Sequence, residues 1–120
     1  MAKILVTDDA AFMRNVLRNI LESVGHVVDE ARTGEECVEI LKNSNYDLIT
    51  MDITMPEMNG ITAVKTIREI NPEQKIIIVS AMGQKVIVVE AVQAGACDFI
   101  VKPFQRENVL AAVDKVLNSY

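Results

Sequence analysis

The sequence predicts an α/β protein of the doubly wound kind, and three observations carry that reading. Short β-branched runs alternate five times with longer stretches of helical period. The runs are nearly all apolar, as strands buried on both faces are, so helices must cover both sides of a parallel sheet. Four of the five then lead straight into a polar side chain that can do chemistry. Lys3 to Val6 leads through Thr7 to Asp8 and Asp9, Leu48 to Met51 to Asp52, Ile76 to Val79 to Ser80, and Phe99 to Val101 to Lys102. The carboxyl ends of parallel strands share one rim, where ligand crevices form. Residues from distant parts of the chain are thereby brought to one place.

The strands are expected at Lys3 to Thr7, Val27 to Ala31, Asp47 to Met51, Lys75 to Val79 and Asp98 to Val101. Between the first two, Phe12, Val16, Ile20 and Val24 recur at helical spacing with Leu17 and Leu21 beside them, until Gly25 stops the helix. Gly34 opens the second helix, Asn59-Gly60 turns the chain into the third, and Asn71-Pro72 ends it. Gly95 closes a fourth helix rich in valine, and Val109, Leu110, Val113, Val116 and Leu117 stripe the fifth. With right-handed crossovers the product is a three-layer sandwich.

At 120 residues the chain suits one domain with one core, and its 50% hydrophobic and 24% charged residues describe a globular protein. Acidic residues outnumber basic ones 17 to 12 and no basic cluster occurs. That argues against nucleic acid, whose phosphates need clustered Lys and Arg. No apolar stretch approaches the ~20 residues of a membrane span, and Met1-Ala2-Lys3 enters a strand without signal-peptide architecture. A cytoplasmic protein is expected. Cys37 and Cys97 lack metal-ligand spacing and read as buried small apolar groups. His26, beside Gly25, reads as an ordinary turn residue.

Singly, each rim residue has a plain explanation: an Asp after a strand caps a helix or forms a turn, Ser80 can be a cap, Lys102 a solvated charge. Jointly they are three carboxylates, a hydroxyl and an ammonium. Carboxylates 4 Å apart repel by up to ~4 kcal/mol per pair at an effective dielectric of 20, and a hard divalent cation offsets that. Mg²⁺ favours a few carboxylates, a carbonyl and retained waters. Asp9 and Asp52 would be direct ligands, Asp8 would act largely through a water, and the Thr54 carbonyl could complete the set. Such a site suits phosphoryl transfer, with Asp52 as the nucleophile that becomes an acyl phosphate, set between the acidic pair and Lys102. Ser80 would donate a hydrogen bond to the attached group.

Together these residues resemble the receiver domain of two-component response regulators over essentially the whole chain. The stretches that carry the resemblance are Val6-Thr7-Asp8-Asp9, Met51-Asp52 through Asn59-Gly60, Val79-Ser80-Ala81-Met82, and Asp98-Phe99-Ile100-Val101-Lys102-Pro103-Phe104. The resemblance implies a flavodoxin-like fold with strand order 2-1-3-4-5, a single receiver domain over residues 1–120 with no output domain, and a cis Lys102-Pro103 bond. Asp9-Ala10-Ala11-Phe12-Met13-Arg14, Ser80-Ala81-Met82-Gly83-Gln84 and Lys102-Pro103-Phe104-Gln105 look most like the stand-alone chemotaxis regulators.

From that resemblance, Asp52 accepts phosphate from a phosphohistidine on the chemotaxis histidine kinase, with Mg²⁺ on Asp9, Asp52 and the Thr54 carbonyl. The protein is a phosphoacceptor rather than an enzyme with turnover, and acts as a monomer. Ser80 and Phe99 fall at the family's switch positions, a hydroxyl that moves toward the phosphate and a ring that turns inward behind it. Many chemotaxis members carry Tyr where Phe99 stands; as a core ring Phe99 needs no switching role. Thr54 and Met82 would flank the water that attacks the acyl phosphate. The target, a motor switch protein in bacterial relatives or an adaptor in archaeal ones, would bind the face made by the fourth helix, last strand and fifth helix. The excess of apolar residues on the fourth helix, Val86 to Val89 with Val92, independently suggests a contact face.

Two other functions fit the layered fold. A flavodoxin-like cofactor module needs backbone donors in a Gly-, Ser- or Thr-rich first loop, where this chain has Asp8 and Asp9. An aspartyl-phosphate hydrolase typically places a second Asp two residues past its nucleophile, where this chain has Thr54.

Overall fold

A computed structural model describes residues 1–53 and 59–119. The elements are β1 (Lys3–Thr7), α1 (Ala11–Glu22), β2 (Val27–Ala31), α2 (Gly34–Asn43), β3 (Leu48–Met51), α3 (Gly60–Ile70), β4 (Ile76–Ser80), α4 (Lys85–Ala94), β5 (Asp98–Val101) and α5 (Arg106–Leu117). All strand pairs are parallel, in the order β2-β1-β3-β4-β5. This is the doubly wound, flavodoxin-like sandwich expected.

Side chains alternate across each strand, and that alternation builds two half-cores. Ile4, Val6, Leu48, Ile77, Val79 and Ile100 pack with Leu17 and Leu21 of α1 and Val109, Val113 and Val116 of α5. Leu5, Ile49, Met51, Ile76 and Ile78 pack on the other side with residues of α2, α3 and α4. β3 and β4 are buried along their whole length. Each fully buried Ile or Leu there contributes about 1.5–3 kcal/mol. The edge strand β2 carries the exposed Asp29 and the half-buried Glu30, charges that discourage pairing with another chain.

Boundaries shift by one residue where a charged side chain has another task. Asp47 precedes β3, its carboxylate accepting from the Lys3 amide at 2.7 Å. Lys75 precedes β4 and donates to the Leu117 and Ser119 carbonyls at the end of the chain's last helix. Ser80 belongs to β4, since its carbonyl accepts from the Lys102 amide at 2.9 Å.

Two side-chain expectations change, one in α1 and one at Cys97. In α1 the buried row is Leu17 and Leu21, whereas Phe12 is 75% exposed and Val24 also lies at the surface. A 3.6-residue period permits either row, and Phe12 sits in the first turn of α1. Cys37 is buried as expected, but Cys97 is exposed, in the turn where α4 meets β5 at the sheet's edge; both are free thiols. In α4 the outcome agrees with the apolar excess seen in the sequence: Val86, Val89 and Val92 stay exposed. His26 is the turn residue expected, its Nδ1 accepting from the Ala2 amide.

Candidate metal centre and phosphoacceptor site

The strand ends continue their ladders one residue past the sheet, and this positions the acids. The Asp8 amide donates to the Ala31 carbonyl at 3.1 Å, and the Asp52 amide to the Thr7 carbonyl at 3.0 Å. Both carboxylates thus start from fixed backbone on adjacent strands. Asp8 is 2% exposed and Asp52 5%, while Asp9, one residue further into the loop, is exposed. One carboxylate oxygen from each of the three lies within 4.8 Å of the others.

Asp8 is the acid most committed to structure. One oxygen accepts from the Ala10 amide at 2.9 Å, at the start of α1, and the other from Lys102 Nζ at 2.7 Å. The same ammonium stands 3.4 Å from Asp52. The strand order sets Asp52 between the acidic pair and the strand that carries Lys102, as expected, and the lysine side chain reaches back so that its ammonium bridges Asp8 and Asp52. Two nearly buried carboxylates need a cation, and the long lysine side chain reaches across to supply one. Burial works against the ammonium's charge, but its hydrogen bond to Asp8 and the fields of Asp52 and Asp8 outweigh that cost. The Lys102 pKa is raised above its ordinary value. The Lys102-Pro103 bond is cis.

Lys102 neutralises part of the negative charge and leaves Asp9 on the solvent side. The donors gathered there are carboxylate oxygens without a thiolate or imidazole, the set that suits a hard cation such as Mg²⁺. The proposed Thr54 ligand lies outside the described residues.

Ser80 is fully buried at the end of β4, and its hydroxyl accepts from the Met82 amide at 3.2 Å. It holds the loop into α4 rather than capping that helix, whose N-cap is Gln84. Phe99 is paired in register with Ile78, and Ser80 with Val101. Phe99 and Met82 are both half-buried against the α3-side core. The two switch candidates therefore occupy adjacent strands on one side of the sheet.

Sequence reasoning missed a supporting shell around the first loop. Arg14 Nη1 donates to the Asp8 carbonyl at 2.7 Å, and its Nε to Glu30 at 2.9 Å. Arg18 Nε takes the other Glu30 oxygen at 2.6 Å. The available signal is a charged residue, Glu30, near the end of an edge strand beside β1, with arginines four residues apart on the helix that follows β1.

Away from the rim, Lys85, Val86, Val89, Glu90 and Gln93 line a shallow groove of about 400 Å³ on α4. Val101 of β5 is also 47% exposed. Among the described residues no helix is long and apolar enough to cross a membrane.

The sequence and the fold that carry this cluster have counterparts in known proteins. The sequence is 56% identical over 117 residues to chemotaxis protein CheY of Bacillus subtilis, covering 97% of this chain and 98% of that one. It is 55% identical over 115 residues to chemotaxis protein CheY of Thermotoga maritima, covering 95% and 96%. The fold superposes with a TM-score of 0.94 on a chain of the CheX-CheY-BeF3-Mg²⁺ complex from Borrelia burgdorferi, at 39% identity over 98% of this chain and 90% of that one. These likenesses favour the receiver reading over a flavodoxin-like cofactor module. Residues 4–114 match the model of the response regulator receiver domain, and the chain belongs to that family as a CheY-type member.

Proposed function

We propose that this chain is a cytoplasmic chemotaxis response regulator whose Asp52 takes a phosphoryl group from a phosphohistidine of a histidine kinase. The bond from phosphorus to the histidine nitrogen breaks as one forms to an Asp52 oxygen, and the imidazole departs with the bonding pair. The observation that supports this most directly is the Lys102 ammonium held at 2.7 Å from Asp8 and 3.4 Å from Asp52, beside the exposed Asp9. Burial keeps bulk water from Asp52 while one side of the cluster stays open to a donor.

Asp9 and Asp52 would hold Mg²⁺ directly and Asp8 through water, with the Thr54 carbonyl as the third direct protein ligand. When bound, the ion supplies positive charge against the oxygens of the incoming group. Lys102 supplies a second positive charge from the β5 side. The Ser80 hydroxyl can leave the Met82 amide and donate to the attached phosphoryl group, and Phe99 follows on the neighbouring strand. The chain catalyses its own phosphorylation and dephosphorylation only, with no substrate turnover. Exposed Val86, Val89 and Val101 support a partner face on α4, β5 and α5, for a motor switch protein or an adaptor.

Phosphotransfer from a labelled kinase tests this reading. Wild type should take up label only with Mg²⁺, the label should persist, and Asp52→Asn should take up none that is stable. Mg²⁺-independent labelling or a labelled Asp52→Asn would overturn the assignment. Rapid multiple turnover with acetyl phosphate would instead identify a hydrolase.

A further inference from the structure

We propose that Arg14, anchored by Glu30, is a positioning residue for the acidic site: it fixes the peptide that joins Asp8 to Asp9 and so sets the cation affinity of the cluster. The inference rests on the phosphoacceptor reading above, and concerns how this chain holds its own acids in place.

The peptide between Asp8 and Asp9 decides where both carboxylates go. Its carbonyl accepts from Arg14 Nη1 at 2.7 Å. On the other side of the same residue, the Asp8 amide is tied to the Ala31 carbonyl at 3.1 Å, and an Asp8 carboxylate oxygen to the Ala10 amide at 2.9 Å. Asp8 is thus held through backbone and side chain. Asp9 is exposed, and the hydrogen bond made directly to the carbonyl of its leading peptide comes from Arg14, while the Asp8-to-Ala10 bond closes a turn around the same peptide. A rotation of that peptide would swing Asp9 away from Asp8 and Asp52 without disturbing the core.

Arg14 is equipped for this task. Its side chain is 12% exposed, and Nε donates to Glu30 at 2.9 Å while Nη1 reaches the carbonyl. Glu30 is itself fixed by Arg18 through its second oxygen. A planar fork with one edge on a carboxylate and the other on a carbonyl holds both orientation and distance, which a flexible ammonium does not. Outer-shell partners of this kind typically change metal affinity by about 10- to 100-fold when removed.

Charge and position predict opposite signs, which makes the inference testable. Arg14 is a cation near a cation site, so on charge alone its removal should tighten Mg²⁺ binding. As a positioning residue, its removal should loosen it. Mg²⁺ affinity of the full chain, measured by calorimetric titration of wild type, Arg14→Met and Arg14→Lys, separates these, with circular dichroism and melting temperature recorded alongside.

The expected result is about tenfold weaker Mg²⁺ binding in Arg14→Met, with Arg14→Lys failing to restore it. Tighter binding in Arg14→Met, or wild-type affinity in either folded variant, overturns the inference, whatever happens to the melting temperature. If Arg14→Met does not fold, Arg14→Lys decides alone. Failure of the inference is distinguishable from failure of the function, because it would leave wild-type Mg²⁺ binding and Asp52-dependent labelling intact. Loss of those in wild type removes both.

Discussion

Gly60 presses against the backbone of Asp52. A Cβ built on Gly60 would overlap the Asp52 carbonyl oxygen and stand 2.8 Å from its carbon, and the Gly60 amide donates to the Ile53 carbonyl at 2.9 Å. The first turn of α3 therefore sits directly on the peptide that carries the proposed phosphoacceptor. Helix propensity alone favours alanine over glycine by about 1 kcal/mol, but the overlap is with backbone, which cannot turn aside. Gly60→Ala is expected to destabilise the fold by about 1–3 kcal/mol and to slow labelling of Asp52. Urea unfolding together with acetyl phosphate labelling checks both. A variant as stable and as fast as wild type would show that α3 has room to retreat.

Lys102 holds two nearly buried carboxylates together, so its removal leaves them facing one another. Lys102→Met should lower stability at pH 7 by roughly 3 kcal/mol, the cost of breaking a buried ion pair. Mg²⁺ should stabilise the variant more than wild type, because the ion then offsets charge that the lysine no longer does. The alkaline dependence follows from the raised pKa. A group whose pKa is higher in the folded state stabilises fully below its unfolded value, near 10.5, and loses that contribution as pH rises through the folded value. The stability gap between wild type and variant should be level from about pH 7 to 10 and narrow above that. Urea unfolding across that range is the measurement; a gap that widens above pH 10 contradicts the pairing.

Much of the site was legible because it lies at strand ends, where continuous apolar runs stop abruptly and polar residues follow. Asp8, Asp52, Ser80 and Lys102 each announce themselves this way, and the parallel topology then brings them to one rim. Which row of α1 faces the sheet was not legible, since Phe12 and Met13 are both apolar and a helical period accommodates a stripe through either. Lys102's position between Asp8 and Asp52 depends on the reach and bend of one long side chain, which spacing along the chain does not encode. Arg14, Arg18 and Glu30 escaped because ion pairs across a helix and an edge strand depend on which strand neighbours β1, and on rotamers. Once β2 is known to pair with β1 through Val6 and Glu30, the reach from α1 to Glu30 becomes short.

Glu30 gives the acid-side counterpart. The hydrogen bond from Arg18 lowers its pKa most; burial opposes the shift, and Arg14 adds to the lowering. A carboxyl whose pKa is lower in the folded state contributes its stability above the unfolded value of about 4.5 and loses it as pH falls through the folded value. Glu30→Gln keeps the shape and one acceptor oxygen but gives up the charge between two arginines. With its side chain 30% exposed, solvent screening reduces the loss to about 1 kcal/mol at pH 7, or about 4 °C in melting temperature. That difference should hold down to about pH 5 and close progressively below 4.5, as wild-type Glu30 takes up its own proton and the two proteins become alike. Thermal melts from pH 3 to 7 check the sign. A gap that persists undiminished at pH 3 would show that the difference between the two proteins does not come from the Glu30 charge, and would contradict the pairing.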